Sequence, residues 1–167
     1  LNPYCNQGLE AAAAACVNRG HYEVTVEHLL LTMLEDGTGD LNNIFLHFGR
    51  DPGRLQKSLQ QTLETFKRGN TGRPVFSPFL IRLIGRAFMI SSIDFKLPEV
   101  RSGALLLALV ENPARYVSGD YADILETIGQ DHLKANFYEI THTSVETRQA
   151  QVKARAMGNV PQGSGDE

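Results

Sequence analysis

The sequence predicts an all-α fold in which two repeated units of four helices pack into one globular domain. The first indication is the segment VTVEHLLLTML at 24–34, which returns as VRSGALLLALV at 100–110. In both copies the leucines would lie on nearly every side of a helix, which is typical of helices buried inside a bundle. The two segments therefore indicate two matching central helices.

Two further echoes follow the same order along the chain. LNPYC at 1–5 is matched by FSPFL at 76–80, and FGRD at 48–51 is matched by IGQD at 128–131. The first pair combines a polar N-cap residue with a proline at the first helical position, a strong helix-start signal. Repeats of about 1–66 and 76–141 are therefore expected.

The first repeat divides into four helices by its caps and periodicity. The first is expected from Pro3 to about Asn18, with a centre of small residues, EAAAAAC. The second has Thr25 as its N-cap and ends before Gly37, where glycine favours a C-cap. We expect Asp40 to cap the third, which Gly49 ends. The fourth starts at Asp51-Pro52 and carries apolar residues four apart: Leu55, Leu59, Leu63 and Phe66.

A linker rich in glycine and charge, 67–75, separates the repeats, after which the pattern returns. The fifth helix should run from Pro78 to about Ile90 and the sixth from about Ser102 to Val110. The seventh is expected to hold Tyr121 to Ile128 and end at Gly129. The eighth is capped by Asp131 and carries Leu133, Phe137 and Ile140. No segment alternates in the manner of a strand.

The apolar periodicity fades after about Thr141. Residues 142–167 are therefore predicted to form a linker that begins as a solvated helix and ends in the polar sequence NVPQGSGDE. Chain ends of this composition have little apolar surface to bury.

The composition restricts the classes of function. Hydrophobic residues make up 42% of the 167 residues, enough for a packed core, and the formal net charge is −3. This charge disfavours nucleic-acid binding, and no apolar run approaches the roughly 18 residues of a membrane span. Cys5 and Cys16 would lie about 16 Å apart on one helix. That separation excludes a disulfide and indicates two buried free thiols.

The sequence lacks the elements of common active sites. It has no GxxxxGK[ST] phosphate loop, no HExxH and no cysteine and histidine cluster with metal spacing. Glu27 and His28 are adjacent on a helix and so point in different directions, which favours a structural role for both. We therefore expect a binding module that is not an enzyme and that holds no cofactor or metal.

The candidate binding surface comprises apolar residues near helix starts: Leu1, Tyr4, Phe76 and Phe79. Gly8 and the alanine run would leave a shallow trough along the first helix, in which a partner helix could place its apolar face. The alternative is that these aromatic residues simply pack the two repeats together.

The segments LNPYCNQGLEAAA and HYEVTVEHLLLTMLED resemble the double Clp N-terminal domain of Hsp100 unfoldases over about residues 1–140. The EHLLL fragment at 27–31 is the most specific feature of the resemblance. LNPYC, FSPFL and VRSGALLLALVENPARYV at 100–117 resemble the ClpV-type AAA+ ATPases of type VI secretion in particular. This resemblance implies a bacterial cytoplasmic motor that is hexameric at full length and whose ATP and Mg²⁺ sites lie in modules outside this chain.

The same resemblance implies a partner and a site. The partner would be an N-terminal helix of the large subunit of the contracted sheath, and an isolated domain is expected to be a monomer. The hydrophobic groove would lie along the first helix and be flanked by the last. The residues carried over to it are Leu1, Tyr4, Cys5, Gly8, Leu9, Ala12, Phe76, Phe79, Phe137 and Ile140.

The main alternative is the N-terminal domain of a general Hsp100 unfoldase or disaggregase, which would bind adaptors or exposed apolar segments. The second repeat has Gly103-Ala104 where the first has Glu27-His28. A function that needs the acidic residue in both copies is therefore not expected here.

Overall fold

A computed structural model describes residues 1–117 and 119–158. It confirms the all-α fold. The first repeat consists of α1 (Pro3–Asn18), α2 (Val26–Asp36), α3 (Asp40–His47) and α4 (Pro52–Glu64). The side chains of Asn2, Thr25 and Asp51 each accept a hydrogen bond from the first turn of the helix that follows, as their sequence positions predict.

The second repeat is less regular than the first. It comprises α5 (Pro78–Met89), a π-helical turn (Ile90–Asp94), α6 (Ser102–Glu111), a 3₁₀ turn (Pro113–Arg115), α7 (Ala122–Leu125), α8 (Gln130–Ala135) and α9 (Phe137–Ile140). The expected seventh helix therefore shrinks to one turn. The expected eighth breaks at Asn136, whose side chain donates to the carbonyl of His132.

Asp40 and Asp131 are not the N-cap residues of α3 and α8 that the sequence predicts. Gly39 and Gly129 occupy the N-cap positions of α3 and α8. Asp40 is instead buried, and its Oδ1 accepts from Nη2 of Arg101 at 2.8 Å. This ion pair joins the two repeats.

The expectation of no strands was wrong for two short segments. β1 (Glu23–Val24) and β2 (Val75–Phe76) pair in parallel, with Val24 opposite Phe76. Strands of two residues are too short to show an alternation of apolar and polar residues in the sequence. They pair because the linker brings Val75 and Phe76 back beside Glu23 and Val24. Ser77 then donates its backbone N–H to the carbonyl of Val24.

The core forms around α2 and α6, the two leucine-rich helices. Every residue of α6 except Glu111 is buried, and α2 buries most of its length. Cys5 and Cys16 are free and buried, as predicted. None of the described helices is long and apolar enough to cross a membrane.

A final helix, α10 (Val145–Ala156), follows the second repeat, and residues 159–167 of the expected linker lie outside the described residues. The first turn of α10 is part of the folded body, because Ser144 and Glu146 are fully buried. The start of the expected linker is therefore part of the folded domain.

Candidate functional site

Glu146 anchors α10 to both repeats. Its carboxylate accepts hydrogen bonds from Asn2 Nδ2 at 2.9 Å, the Asp40 backbone N–H at 2.7 Å and the Ser102 backbone N–H at 2.8 Å. The hydroxyl of Ser102 also donates to it, and the thiol of Cys5 lies 3.8 Å away. One side chain thus joins the start of α1, the start of α3, the start of α6 and α10.

The surroundings of Glu146 have opposing effects on the pKa of its carboxyl group. Burial raises its pKa, and the nearby negative charge of Asp40 adds to this, while the hydrogen bonds from Asp40 and Ser102 oppose it. The donated hydrogen bonds satisfy both carboxylate oxygens, which is how a buried carboxylate is tolerated.

Two clefts lie beside α10 and share Gln149 in their lining, and we call the pair the α1–α10 groove. The first cleft, of about 380 Å³, lies between α1, the end of α2 and α10. It is lined by Tyr4, Gln7, Gly8, Ala11, Thr32, Met33, Asp36, Thr38, Val145 and Gln149.

The second cleft, of about 580 Å³, lies between the start of α1, the loop before α6 and α10. Its lining is mostly apolar, with Glu99 and Lys153 forming an ion pair of 2.7 Å at the rim. The full lining is Asn2, Pro3, Leu97, Pro98, Glu99, Arg101, Glu146, Gln149, Ala150, Lys153, Ala154 and Met157.

Gln149 lines both clefts and carries an unused acceptor. Its Oε1 is buried and has no hydrogen-bond partner within the part of the chain that the structure describes. A buried acceptor without a partner costs free energy that a ligand N–H could recover. The α1–α10 groove therefore combines the mostly apolar second cleft with a buried acceptor that could orient a ligand.

Tyr4 forms a fixed wall of the first cleft. Its hydroxyl donates to Asp36 Oδ2 at 2.9 Å, and burial together with that carboxylate raises the pKa of Tyr4. Its ring lies directly against Gly39, where an added Cβ would stand only 2.5 Å from the ring. Gly39 therefore has to be glycine for Tyr4 to take this position.

Two of the ten predicted site residues, Tyr4 and Gly8, line the α1–α10 groove. Leu1 and Leu9 are half-buried and pack against the core. The other four members of this part of the prediction, Cys5, Ala12, Phe137 and Ile140, are buried. Their side chains face the core because the apolar stripe of an amphipathic helix packs against the neighbouring helices.

Phe76 and Phe79 are exposed but lie outside the α1–α10 groove. Tyr4 contacts the Asp36 end of α2, whereas Phe76 pairs with Val24 just before the other end. The eleven residues of α2 span about 16 Å, which separates the two positions. Phe79 lines a different cleft, of about 370 Å³, together with residues that include His21, Tyr22, Phe66 and Tyr116.

Sequence reasoning missed the wall supplied by α10. Ala150, Ala154 and Met157 line the second cleft, and Gln149 lines both. A signal was present, because Glu146, Ala150 and Ala154 recur four apart after Ser144, a good N-cap residue. Two alanines and a glutamate are weak evidence of burial, because the same residues are common on the exposed face of a solvated helix.

Two curated relatives align with much of this chain. ClpB, a chaperone protein of Yersinia enterocolitica, is 31% identical over 158 residues, which is 93% of this chain and 18% of ClpB. The AAA+ ATPase ClpV1 of Pseudomonas aeruginosa is 30% identical over 114 residues, which is 68% of this chain and 13% of ClpV1. The chain therefore spans less than a fifth of the length of either relative.

A solved complex of a ClpV N-domain with a VipB peptide has the same fold. It superposes with a TM-score of 0.80 at 32% identity, covering 87% of this chain and 89% of that one. The family model for the Clp repeat (R) N-terminal domain matches residues 1–121. With the repeated helices and the shared fold, this match shows that the chain belongs to the Clp repeat N-terminal domain family.

Proposed function

We propose that this chain is the substrate-recognition domain of a type VI secretion unfoldase and binds an N-terminal helix of the large sheath subunit. The helix would lie in the α1–α10 groove, so that the motor engages contracted sheath and disassembles it for reuse. The parent protein would work in the bacterial cytoplasm as a hexamer, with ATP and Mg²⁺ bound in its AAA+ modules.

The observation that carries this proposal is the α1–α10 groove itself. Its walls come from the start of the first helix and from the last described helix, and Gln149 Oε1 supplies an unused acceptor between them. Amphipathic helices dock in apolar grooves by inserting residues three and four apart. The ClpV N-domain with which this chain shares its fold was solved with a peptide of VipB, a sheath protein.

Within the part of the chain that the structure describes, no group of three or more histidine, cysteine, aspartate or glutamate residues could hold a metal ion. A single short helix in the groove would bury a small area, so each contact should be of modest affinity. Several copies on one hexamer would raise the overall affinity through effective concentration.

Isothermal titration calorimetry with a peptide from the N-terminus of the large sheath subunit tests the proposal. Ala150→Glu places a charge in the wall of the second cleft and should abolish saturable binding. Val152→Glu is the matched control, because Val152 lies on the same helix, is 64% exposed and lines neither cleft. It should bind as the unchanged chain does.

Phe76→Ala separates the two candidate locations. If the α1–α10 groove is the site, this substitution leaves the affinity unchanged. Loss of binding in Phe76→Ala, with Ala150→Glu unaffected, would keep the function and move the site to the β2 region. Absence of binding in the unchanged chain would refute the sheath proposal.

A second candidate function has support from the similarity to ClpB over 93% of this chain. A general Hsp100 N-domain would bind many exposed apolar segments with similar affinity. Titration with a reduced, unfolded model protein distinguishes the two functions. A sheath-specific domain should prefer the sheath peptide, whereas a general one should bind both comparably.

A further inference from the structure

The outward side of α5 is an uncovered apolar surface, which we call the α5 outer face. It consists of Ile81, Gly85, Phe88 and Met89. The exposed fractions of its large side chains are 58% for Ile81, 54% for Phe88 and 45% for Met89, and Ile93 in the π-helical turn that follows is 61% exposed. Contiguous apolar surface of this kind marks interaction sites on folded proteins.

The position of this face follows from the helix period. Leu80, Leu83 and Ala87 are buried on the side of α5 that packs against α6. At 100° per residue, Gly85 lies nearly opposite these residues. α5 therefore has two apolar sides, and only one of them is used by the core.

Gly85 lies at the centre of the α5 outer face and leaves room for a partner. A Cβ added there would meet no atom within 4 Å. Nothing in the fold therefore requires a glycine at this position, although glycine costs about 1 kcal/mol relative to alanine inside a helix. A missing side chain between Ile81 and Met89 lets the backbone of a second helix approach closely.

The size of the face indicates what could cover it. Its three large side chains and the neighbouring Ile93 are each about half exposed and present roughly 100 Å² apiece, hence on the order of 400 Å² in total. A stable pair of proteins usually needs about 800 Å² from each partner. The area therefore fits one helix better than a second copy of this chain.

The charges beside the face indicate the chemistry of that helix. Arg82 follows Ile81 on the exposed side of α5, and its guanidinium lies 5.0 Å from the centre of the Phe79 ring. Arg86, one turn further on, pairs with Glu111 at 2.7 Å and remains partly exposed. Both arginines lie along one margin of the face, so acidic groups on a partner would complement it.

We propose that the α5 outer face is a docking surface, separate from the α1–α10 groove, for one amphipathic helix. That helix carries an apolar stripe facing Gly85 and acidic residues along the margin next to Arg82. α5 opens the second repeat as α1 opens the first, so the domain would hold one helix on each repeat. This inference does not depend on the proposed binding of the sheath peptide.

The test uses two designed helical peptides with the same leucine stripe, one with glutamates along a margin and one with lysines there. Fluorescence anisotropy with the 167-residue chain should show saturable binding of the glutamate peptide and at least tenfold weaker binding of the lysine peptide. Arg82→Glu should reverse this preference.

Gly85→Gln tests the location, because the added side chain has open space in the free domain and would stand in the path of the partner helix. It should weaken binding of the glutamate peptide about tenfold or more. Val152→Gln, a change at another exposed apolar residue, should leave the affinity unchanged.

Three results would overturn the proposal. One is equal binding of both peptides to the unchanged chain, and another is an affinity that neither Gly85→Gln nor Arg82→Glu alters. The third is binding that is lost in Ala150→Glu and retained in Gly85→Gln, since the peptide would then occupy the α1–α10 groove.

Discussion

Replacing Glu146 by alanine should be among the most destabilising single changes in this domain. The change removes the acceptor of three buried N–H donors, Asn2 Nδ2, the Asp40 backbone N–H and the Ser102 backbone N–H, and of the buried Ser102 hydroxyl. A buried donor left without a partner costs about 1–3 kcal/mol. Taking the lower part of that range, because water can enter the space left by the side chain, the loss is about 3–5 kcal/mol.

Glu146→Gln separates the hydrogen bonds from the shape of the side chain. Its amide oxygen can replace Oε1 and still accept from Asn2 and Ser102, whereas its NH₂ group would face the N–H of Asp40. One lost acceptor predicts a cost of about 1–2 kcal/mol. The order of stability should therefore be glutamate, glutamine and then alanine.

Urea unfolding followed by far-UV circular dichroism measures both costs, with the slope checked for two-state behaviour. Hydrogen exchange should also show faster exchange in α10 for Glu146→Ala, since its root is released. An alanine variant within about 1 kcal/mol of the unchanged chain would contradict the assignment of Glu146 as the anchor.

Substitutions at His28 and Gly103 test, respectively, the buried pair of His21 and His28, whose ring nitrogens lie 2.8 Å apart, and the packing of α6 against α9. Burial, with smaller contributions from the positive charges of His21 and Arg19, lowers the pKa of His28 from 6.5 to about 4. The unfolded chain therefore binds a proton between these values that the folded chain does not, so stability falls as the pH drops from 6.5 to 4. His28→Gln keeps an acceptor for the capping-box hydrogen bond. The substitution should reduce the loss of unfolding free energy between pH 6.5 and 4 by up to about 3 kcal/mol, measured by urea unfolding across this pH range. An unchanged pH profile would assign the acid sensitivity to other groups. Gly103→Ala would place a Cβ 2.6 Å from the ring of Phe137 and should cost roughly 1–3 kcal/mol, whereas Gly85→Ala has open space and should stabilise by about 1 kcal/mol. Equal unfolding midpoints for the two alanine variants would show that the contact with Phe137 is not tight.

The elements that sequence reasoning located well are those set by neighbouring residues. Asn2-Pro3 and Ser77-Pro78 start α1 and α5, and each polar side chain accepts a backbone hydrogen bond within the next three residues. Thr25 and Gly37 bound α2 in the same local manner. Such signals act within one helical turn, so they can be read without knowledge of the rest of the fold.

Gly103, in the second leucine-rich segment, is a residue whose role could not be predicted from local sequence. Gly103 replaces the glutamate of the first copy, and the sequence indicates only that an acidic group is absent. The structure adds the reason, because the ring of Phe137 lies against Gly103 and Asp40 lies close by. A side chain at this position would separate α6 from α9.

The sequence by itself determined the helical repeats, the caps of α1, α2, α4 and α5, the two buried helices and the buried thiols, because these depend on apolar periodicity and on contacts within a turn. Only the tertiary structure decided the pairing of β1 with β2, the burial of Glu146 and the place of the α1–α10 groove. Glu146 receives hydrogen bonds from residues 144, 106 and 44 positions away in the chain. A glutamate on a polar helix shows no sign of such partners, since what makes it buried is the meeting of three distant helix starts at one point.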